Sequence, residues 1–236
     1  MAAVVDGRGG RALLIASSVS FALLAAIAAF AEPLLLRLDR PIQRWVIGAR
    51  QAWLNETMLW VSLLGTRYVI GGLLLALAAW VLARGRCRVV LLVMVIAFAL
   101  NPAIEWALKA LVDRPRPDLL LLVRARGPSF PSGHVVASIG FYAMLPLLVW
   151  EATPSSRLRQ VAASIAGAIV LAVSFSRIYL GVHWFTDVVG GLLVGTFVVA
   201  ATYRALGGHR LDRSRACCPL GPERGHRARS PSILVR

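Results

Sequence analysis

The chain has 236 residues, of which 58% are hydrophobic and only 16% charged, and its mean hydropathy is +0.71. An ordinary globular domain is about 45–50% apolar, and a soluble fold of this composition would expose large apolar patches, so the composition points to the membrane class. The formal charge of +15 rests almost wholly on arginine, with Lys109 the single lysine; these residues lie between apolar runs and form no continuous face, which argues against nucleic-acid binding.

Six apolar runs occupy residues 12–36, 68–83, 88–111, 133–150, 160–179 and 185–203. Each approaches the ~20 residues that cross a bilayer as a helix. The expected fold is all-α, a polytopic membrane bundle of six transmembrane helices over residues 1–206. Arg8 and Arg11 precede the first run, and Ala29-Phe30-Ala31 resembles a signal-peptide cleavage site. The run nevertheless continues through Leu34, Leu35 and Leu36, past the roughly 7–15 residues of a signal h-region, so a retained anchor helix is expected. Residues 37–67 interleave Arg37, Arg40, Arg44 and Arg50 with Trp45, Trp53 and Trp60, the composition of an interfacial amphipathic segment. Residues 207–236 are rich in Gly, Pro, Ser and Arg and read as a disordered basic cytoplasmic tail. Cys87, Cys217 and Cys218 form no disulfide framework and are expected to be free thiols, with lipidation of the adjacent pair a weaker alternative.

Arginine placement sets the orientation. With the N-terminus inside, one side holds Arg8 and Arg11, Arg84, Arg86 and Arg88, Arg157 and Arg159, and the basic tail. The positive-inside rule makes that side cytoplasmic. The third run then exits on the outer side, the fourth enters there, the fifth exits there and the sixth enters there.

Three charged segments fall at that outer face. Lys109, Arg116 and Pro117 end the third run, Pro131-Ser132-Gly133-His134 starts the fourth, and Ser176, Arg177, His183 and Asp187 span the turn between the fifth and sixth. Ionisable residues beside a membrane span are costly and are functional candidates by default. Lys109, Arg116 and Arg177 supply three cations suited to phosphate oxygens. Ser132 and Gly133 precede a helix, so backbone N–H groups and the helix dipole can face an anion, and Gly133 lets the backbone approach closely. His183 and Asp187 are four apart and share one helical face. A carboxylate there fixes the imidazole tautomer and leaves the other nitrogen free to attack. His134 beside the cradle can protonate a leaving oxygen and later activate water. Half of a metal site is the competing reading of His183 and Asp187, but the other groups invoked are cations, which repel a metal.

These residues resemble the signature of the type-2 phosphatidic acid phosphatase superfamily, the lipid phosphate phosphatases: Lys-x6-Arg-Pro, Pro-Ser-Gly-His and Ser-Arg-x5-His-x3-Asp. Every signature position is filled across residues 109–187. The resemblance implies His183 as nucleophile, Asp187 as its partner and His134 as general acid. It implies phosphate binding by Lys109, Arg116, Ser132, Gly133 and Arg177, with no metal and no cofactor. Vanadium haloperoxidases share the signature, but they are large soluble proteins. The implied partner is a lipid phosphate held in the membrane: a polyprenyl diphosphate, phosphatidic acid or phosphatidylglycerol phosphate. Polyprenyl diphosphate leads because the inferred outer face is where that lipid is released in bacteria. A phosphotransferase using the same site and a non-enzymatic lipid transporter are the alternatives; the residues leave the oligomeric state open.

Overall fold

The structure, a computed structural model, describes residues 7–83 and 88–205. The Arg84 and Arg86 cluster, the three cysteines and the tail 207–236 lie outside the described residues. Nine helices and no strand occur among the described residues: α1 Gly7–Phe30, α2 Glu32–Gly48, α3 Ala52–Leu63, α4 Arg67–Ala83, α5 Arg88–Val112, α6 Gly133–Tyr142, α7 Leu145–Ala152, α8 Ser156–Tyr179 and α9 Phe185–Ala205.

Four stretches are long and apolar enough to cross a membrane: Gly9–Phe30, Met94–Val112, Ser156–Tyr179 and Phe185–Thr202. Helices α3 and α4 meet at a 49° bend and are long and apolar enough only as a pair, which makes them a broken span or a re-entrant loop. The expected run 133–150 is also broken: α6 ends at Tyr142, and α7 restarts with a proline in its first turn, where the missing N–H and fixed φ of proline suit a helix start. The chain is thus the expected all-α membrane bundle, with four or five candidate spans among the described residues where six were expected. Outward-facing Ile15, Val19 and Leu23 of α1 and Leu92, Val95 and Ile96 of α5 are exposed, as helices solvated by lipid require.

The first apolar run stops short of its expected end. α1 closes at Phe30, and Ala31 takes a non-helical conformation before α2 begins at Glu32 with proline in its first turn. Residues 37–67, expected as an interfacial amphipathic segment, are mostly helical. In α2 the buried residues Asp39, Gln43 and Val46 recur at helical spacing, while Trp45 faces out, so an amphipathic helix lies across the end of the bundle. Gln43 Nε2 donates to the carbonyl of Ile178 at 3.1 Å, and Arg50 Nε and Nη2 donate to the carbonyl of Tyr179 at 3.0 and 2.6 Å. A cation on the last carbonyls of α8 satisfies orphan acceptors and opposes the helix dipole.

Helix α9 packs tightly on α6 through glycines. A methyl group at Gly191 would lie 2.8 Å from the carbonyl of Ser132 and 2.9 Å from Val135, and one at Gly195 would overlap Ile139. Small residues four apart let backbones approach where lipid offers no hydrophobic drive between helices. This contact holds the N-terminus of α6 against the first turns of α9, where Ser132 N–H donates to the carbonyl of Asp187 at 3.1 Å. Gly72 on α4, by contrast, has open space around it. Gly195→Ala should therefore lower the thermal unfolding midpoint in detergent by several degrees, with overpacking of about 1–3 kcal/mol. Gly72→Ala should leave the midpoint unchanged or raise it, because helix propensity gains about 0.5–1 kcal/mol. Equal effects at the two positions would refute the close-packing account.

Candidate active site

The end of α5, the loop 113–132, the start of α6, the end of α8 and the turn into α9 meet at one end of the bundle. Leu122 N–H donates to the carbonyl of Leu180 at 3.0 Å, which ties the long loop to the α8–α9 turn. That turn needs Gly181, whose φ is +83°; a Cβ there would lie 3.3 Å from the carbonyls of Leu119 and Leu120, so a side chain would be both strained and crowded.

A cavity of about 390 Å³ opens between these segments, and Lys109, Arg116, Gly133, His134, Arg177 and His183 all line it. Six of the eight residues expected in the site therefore share one cavity. The other two stand behind it. Asp187 is fully buried and lies behind His183, 3.4 Å from its Nδ1. Ser132 is the N-cap of α6 and makes no capping hydrogen bond; its hydroxyl is buried without a partner. The first turn of α6 thus keeps orphan N–H donors that face an anion well.

Arg116 is fastened by backbone carbonyls. Its Nε donates to Gly127 at 2.9 Å, Nη1 to Val182 at 2.7 Å, and Nη2 to Arg126 and Pro128 at 3.2 Å each. Nη1 also stands 3.4 Å from His183 Nε2. Burial lowers the guanidinium pKa, with Asp187 and Glu105 opposing. Arg177 donates through Nη1 to Ser62 Oγ, so the bent α3–α4 span holds one of the cations.

His183 is directed by its two nitrogens. Nδ1 faces Asp187, and Nε2 faces Arg116 and the cavity. The 3.4 Å separation from Asp187 Oδ2 is longer than a hydrogen bond, and Nδ1 is buried without a hydrogen-bond partner. Burial, then the cations Arg177, Arg116 and Lys109, push the His183 pKa well below its ordinary 6.5. A neutral imidazole with a free ring nitrogen is a competent nucleophile.

Asp187 is itself held from behind by residues to which the sequence alone assigned no role. Arg114 Nη1 donates to Asp187 Oδ1 and to Thr186 Oγ1, both at 2.7 Å, and Arg114 Nη2 donates to Asp39 Oδ2 at 2.7 Å. Thr186 N–H and hydroxyl donate to the Asp39 carboxylate at 2.9 and 2.6 Å, and Trp184 N–H donates to Asp187 Oδ2 at 2.9 Å. Burial would lower the Arg114 pKa, but Asp187 and Asp39 outweigh it and hold the group above its ordinary value. Glu105 is a further unassigned residue: its carboxylate lines the cavity and pairs with Lys109 at 2.9 Å. The signals for these groups were weak. Arg114 stands two residues before Arg116, Glu105 one helical turn before Lys109, and Asp39 is an acid within an arginine-rich amphipathic helix.

The sequence profile of the PAP2 superfamily matches residues 88–210. Phosphatidylglycerophosphatase B of Bacillus subtilis is 33% identical over 158 residues, which cover 66% of this chain and 77% of that protein. An undecaprenyl-diphosphatase of Sulfolobus acidocaldarius is 30% identical over 158 residues, covering 62% of this chain and 68% of its own. Among solved structures, a transmembrane PAP2-type phosphatidylglycerolphosphate phosphatase from Bacillus subtilis superimposes with a TM-score of 0.73 at 29% identity, over 86% of this chain and 98% of that one. LpxE of Aquifex aeolicus shares the fold with a TM-score of 0.57 at 23% identity, over 70% of this chain and 96% of its own.

The electrostatics of His183 give a direct test. In protein carrying ¹³C-labelled histidine, the His183 resonance, assigned by its loss in His183→Ala, should titrate with a midpoint below 6.5. The imidazole should then stay neutral as pH falls from 7 through that value. Arg116→Ala should move the midpoint upward, because one cation that disfavours imidazolium is gone. A midpoint at or above 6.5 in the unmodified protein overturns this account of the site.

Proposed function

The chain belongs to the PAP2 superfamily, and on that premise we propose that it removes phosphate from a polyprenyl diphosphate or a phospholipid phosphate through a phosphohistidine on His183. It is an integral membrane lipid phosphate phosphatase; the covalent step, the residue roles and the choice of lipid are the inferred part. The observation that carries the reading is the cavity that brings two imidazoles together with Lys109, Arg116 and Arg177.

Phosphate oxygens are held by these three cations and by the first N–H groups of α6. His183 Nε2 attacks phosphorus while Asp187 steadies the Nδ1 proton and the developing imidazolium. The phosphorus–oxygen bond breaks, and His134 gives its proton to the departing oxygen. The substrate's negative charge offsets the cations around His134 and favours its protonated form on binding. His134 then takes a proton from water as that water attacks phosphorus. The P–N bond breaks, His183 is regenerated and inorganic phosphate leaves. The cations and helix N–H groups balance the phosphate charge, so the mechanism calls for no divalent metal.

Two arginines beyond the trio, Arg67 and Arg124, also line the cavity. That surplus of positive charge favours a diphosphate headgroup, the substrate type in the name of the undecaprenyl-diphosphatase relative. The similarity to phosphatidylglycerophosphatase B supports a phospholipid phosphate as the second reading. Phosphate release across a panel of both lipid types separates them: a higher kcat/KM on the diphosphate is expected, and a higher value on the phospholipid phosphate would reverse the order.

The two histidines should separate by leaving group. His183→Ala should abolish turnover on every substrate, because the covalent intermediate cannot form. His134→Ala should lose about 10²–10⁴-fold on a lipid phosphomonoester, the usual worth of general acid–base help, and much less on an aryl phosphate whose leaving group needs no proton. Labelled phosphate retained on His183→Ala, or equal losses of His134→Ala on all leaving groups, would refute the assignment.

The arginine distribution supports a site on the outer face of the membrane. Leu121 is exposed on the loop beside the cavity. In a background without the three native cysteines, Leu121→Cys should react in intact cells with a membrane-impermeant maleimide. Reaction only after permeabilisation would place the site, and the lipid pool it uses, on the cytoplasmic face.

A further inference from the structure

Glu105 is a carboxylate inside a cavity otherwise charged by cations. It stands one helical turn before Lys109 on α5, with its oxygen 2.9 Å from Nζ. An i,i+4 Glu–Lys pair on an exposed helix surface is ordinary and contributes little. This pair differs in two respects. It lies within the apolar stretch Met94–Val112, where charges are costly and functional by default. The carboxylate is also turned onto another helix: a methyl group placed at Gly133 would overlap both of its oxygens. Glu105 therefore rests against the first residue of α6, where the helix start carries no side-chain cap. The same cavity holds His134, Arg116, Arg177 and His183.

We propose that Glu105 is a built-in competing anion: it occupies the phosphate cradle at the start of α6 in the resting enzyme, yields it to the substrate's phosphate, and returns to help expel inorganic phosphate. The inference rests on the phosphate-cradle reading above. Its physical logic is competition for shared partners. A phosphate carries more charge and more acceptor oxygens than a carboxylate, so it wins the cations and the helix N–H groups when it is bound to a lipid anchored nearby. Lys109 then exchanges one anion for the other without being left unpaired within an apolar span, where a lone charge is costly. Once the phosphate is free, the tethered carboxylate competes at high effective concentration, while the phosphate can diffuse away. Without Glu105, three cations and a helix terminus would retain the product.

Equilibrium dialysis of ³³P-labelled inorganic phosphate against the purified full-length protein tests this directly. Glu105→Gln keeps the side-chain shape and removes the charge, and it should bind phosphate about tenfold more tightly than the unmodified protein, within the ordinary range of site–site coupling. Turnover of a lipid phosphate should slow under saturation while its KM falls, as expected when product release becomes limiting. Glu105→Asp separates direct occupation from a through-space field. It keeps the charge but withdraws it by about 1.5 Å, one carbon–carbon bond, out of reach of the cradle. Occupation predicts that Glu105→Asp binds phosphate tightly, like Glu105→Gln; a field effect predicts binding like the unmodified protein and overturns the proposal. Glu105→Asp also carries the test if Glu105→Gln fails to fold. Phosphate binding that is equal or weaker in both variants would make Glu105 only a structural partner of Lys109. No phosphate binding by the unmodified protein would instead sink the cradle reading itself.

Discussion

Arg114 is the charge on which the rest of the site depends. Its side chain is wholly buried, and so are those of Asp39 and Asp187, to which it is bonded. An isolated buried guanidinium would carry a desolvation penalty of several kcal/mol. The geometry here offsets that penalty: two carboxylates and a threonine hydroxyl accept from its two terminal nitrogens, and Glu32 approaches its Nε at 3.4 Å. The network joins three separate parts of the chain. Asp39 comes from the amphipathic helix α2, Arg114 from the loop after α5, and Asp187 with Thr186 from the first turn of α9.

The same interactions complete the start of α9. Its first N–H groups have no partner within the helix. Asp39, from another helix, accepts from Thr186 N–H, and Asp187 accepts from Trp184 N–H. Negative charge at a helix N-terminus is also favoured by the dipole. Asp187 is therefore anchored by Arg114 on one oxygen and by backbone on the other, which aims its second oxygen at the His183 imidazole. The position of the proposed nucleophile follows from a buried ion pair with no contact to the cavity.

On the cavity side the problem is opposite: cations crowd together and must be kept from spreading apart. Arg116 is fixed by backbone carbonyls of the loop 126–128 and of Val182, and Arg177 by a hydroxyl from α3. Neutral acceptors orient a guanidinium without cancelling its charge. The field at the site therefore remains positive, which suits an anion and adds to burial in holding the His183 pKa below its ordinary value. Lys109 is the exception, because it is paired with Glu105 at 2.9 Å.

Much of this was legible from the sequence. The apolar runs announced the bundle because lipid demands about 20 residues per span whatever packs beside them. The residues from Lys109 to Asp187 announced phosphate chemistry, because cations and imidazoles are costly at the ends of apolar runs and together they suit an oxyanion. The breaks at Ala31 and at Ala143 were less visible, since each is marked locally only by a proline in the first turn of the helix that follows, within stretches that stay apolar. Asp39 and Arg114 carry only a weak local signal of their role and Ser62 carries none; each gains it from a partner between 72 and 147 residues away along the chain. Glu105 reads from sequence as one half of a helical ion pair, and only the approach of α6 turns its carboxylate onto Gly133. The sequence by itself determined the class of fold and the candidate groups of the site, because hydropathy and side-chain chemistry are properties of residues. Tertiary structure alone decided which groups are buried together, which charge orients which, and which carboxylate rests on the start of α6, because those are properties of distances between helices.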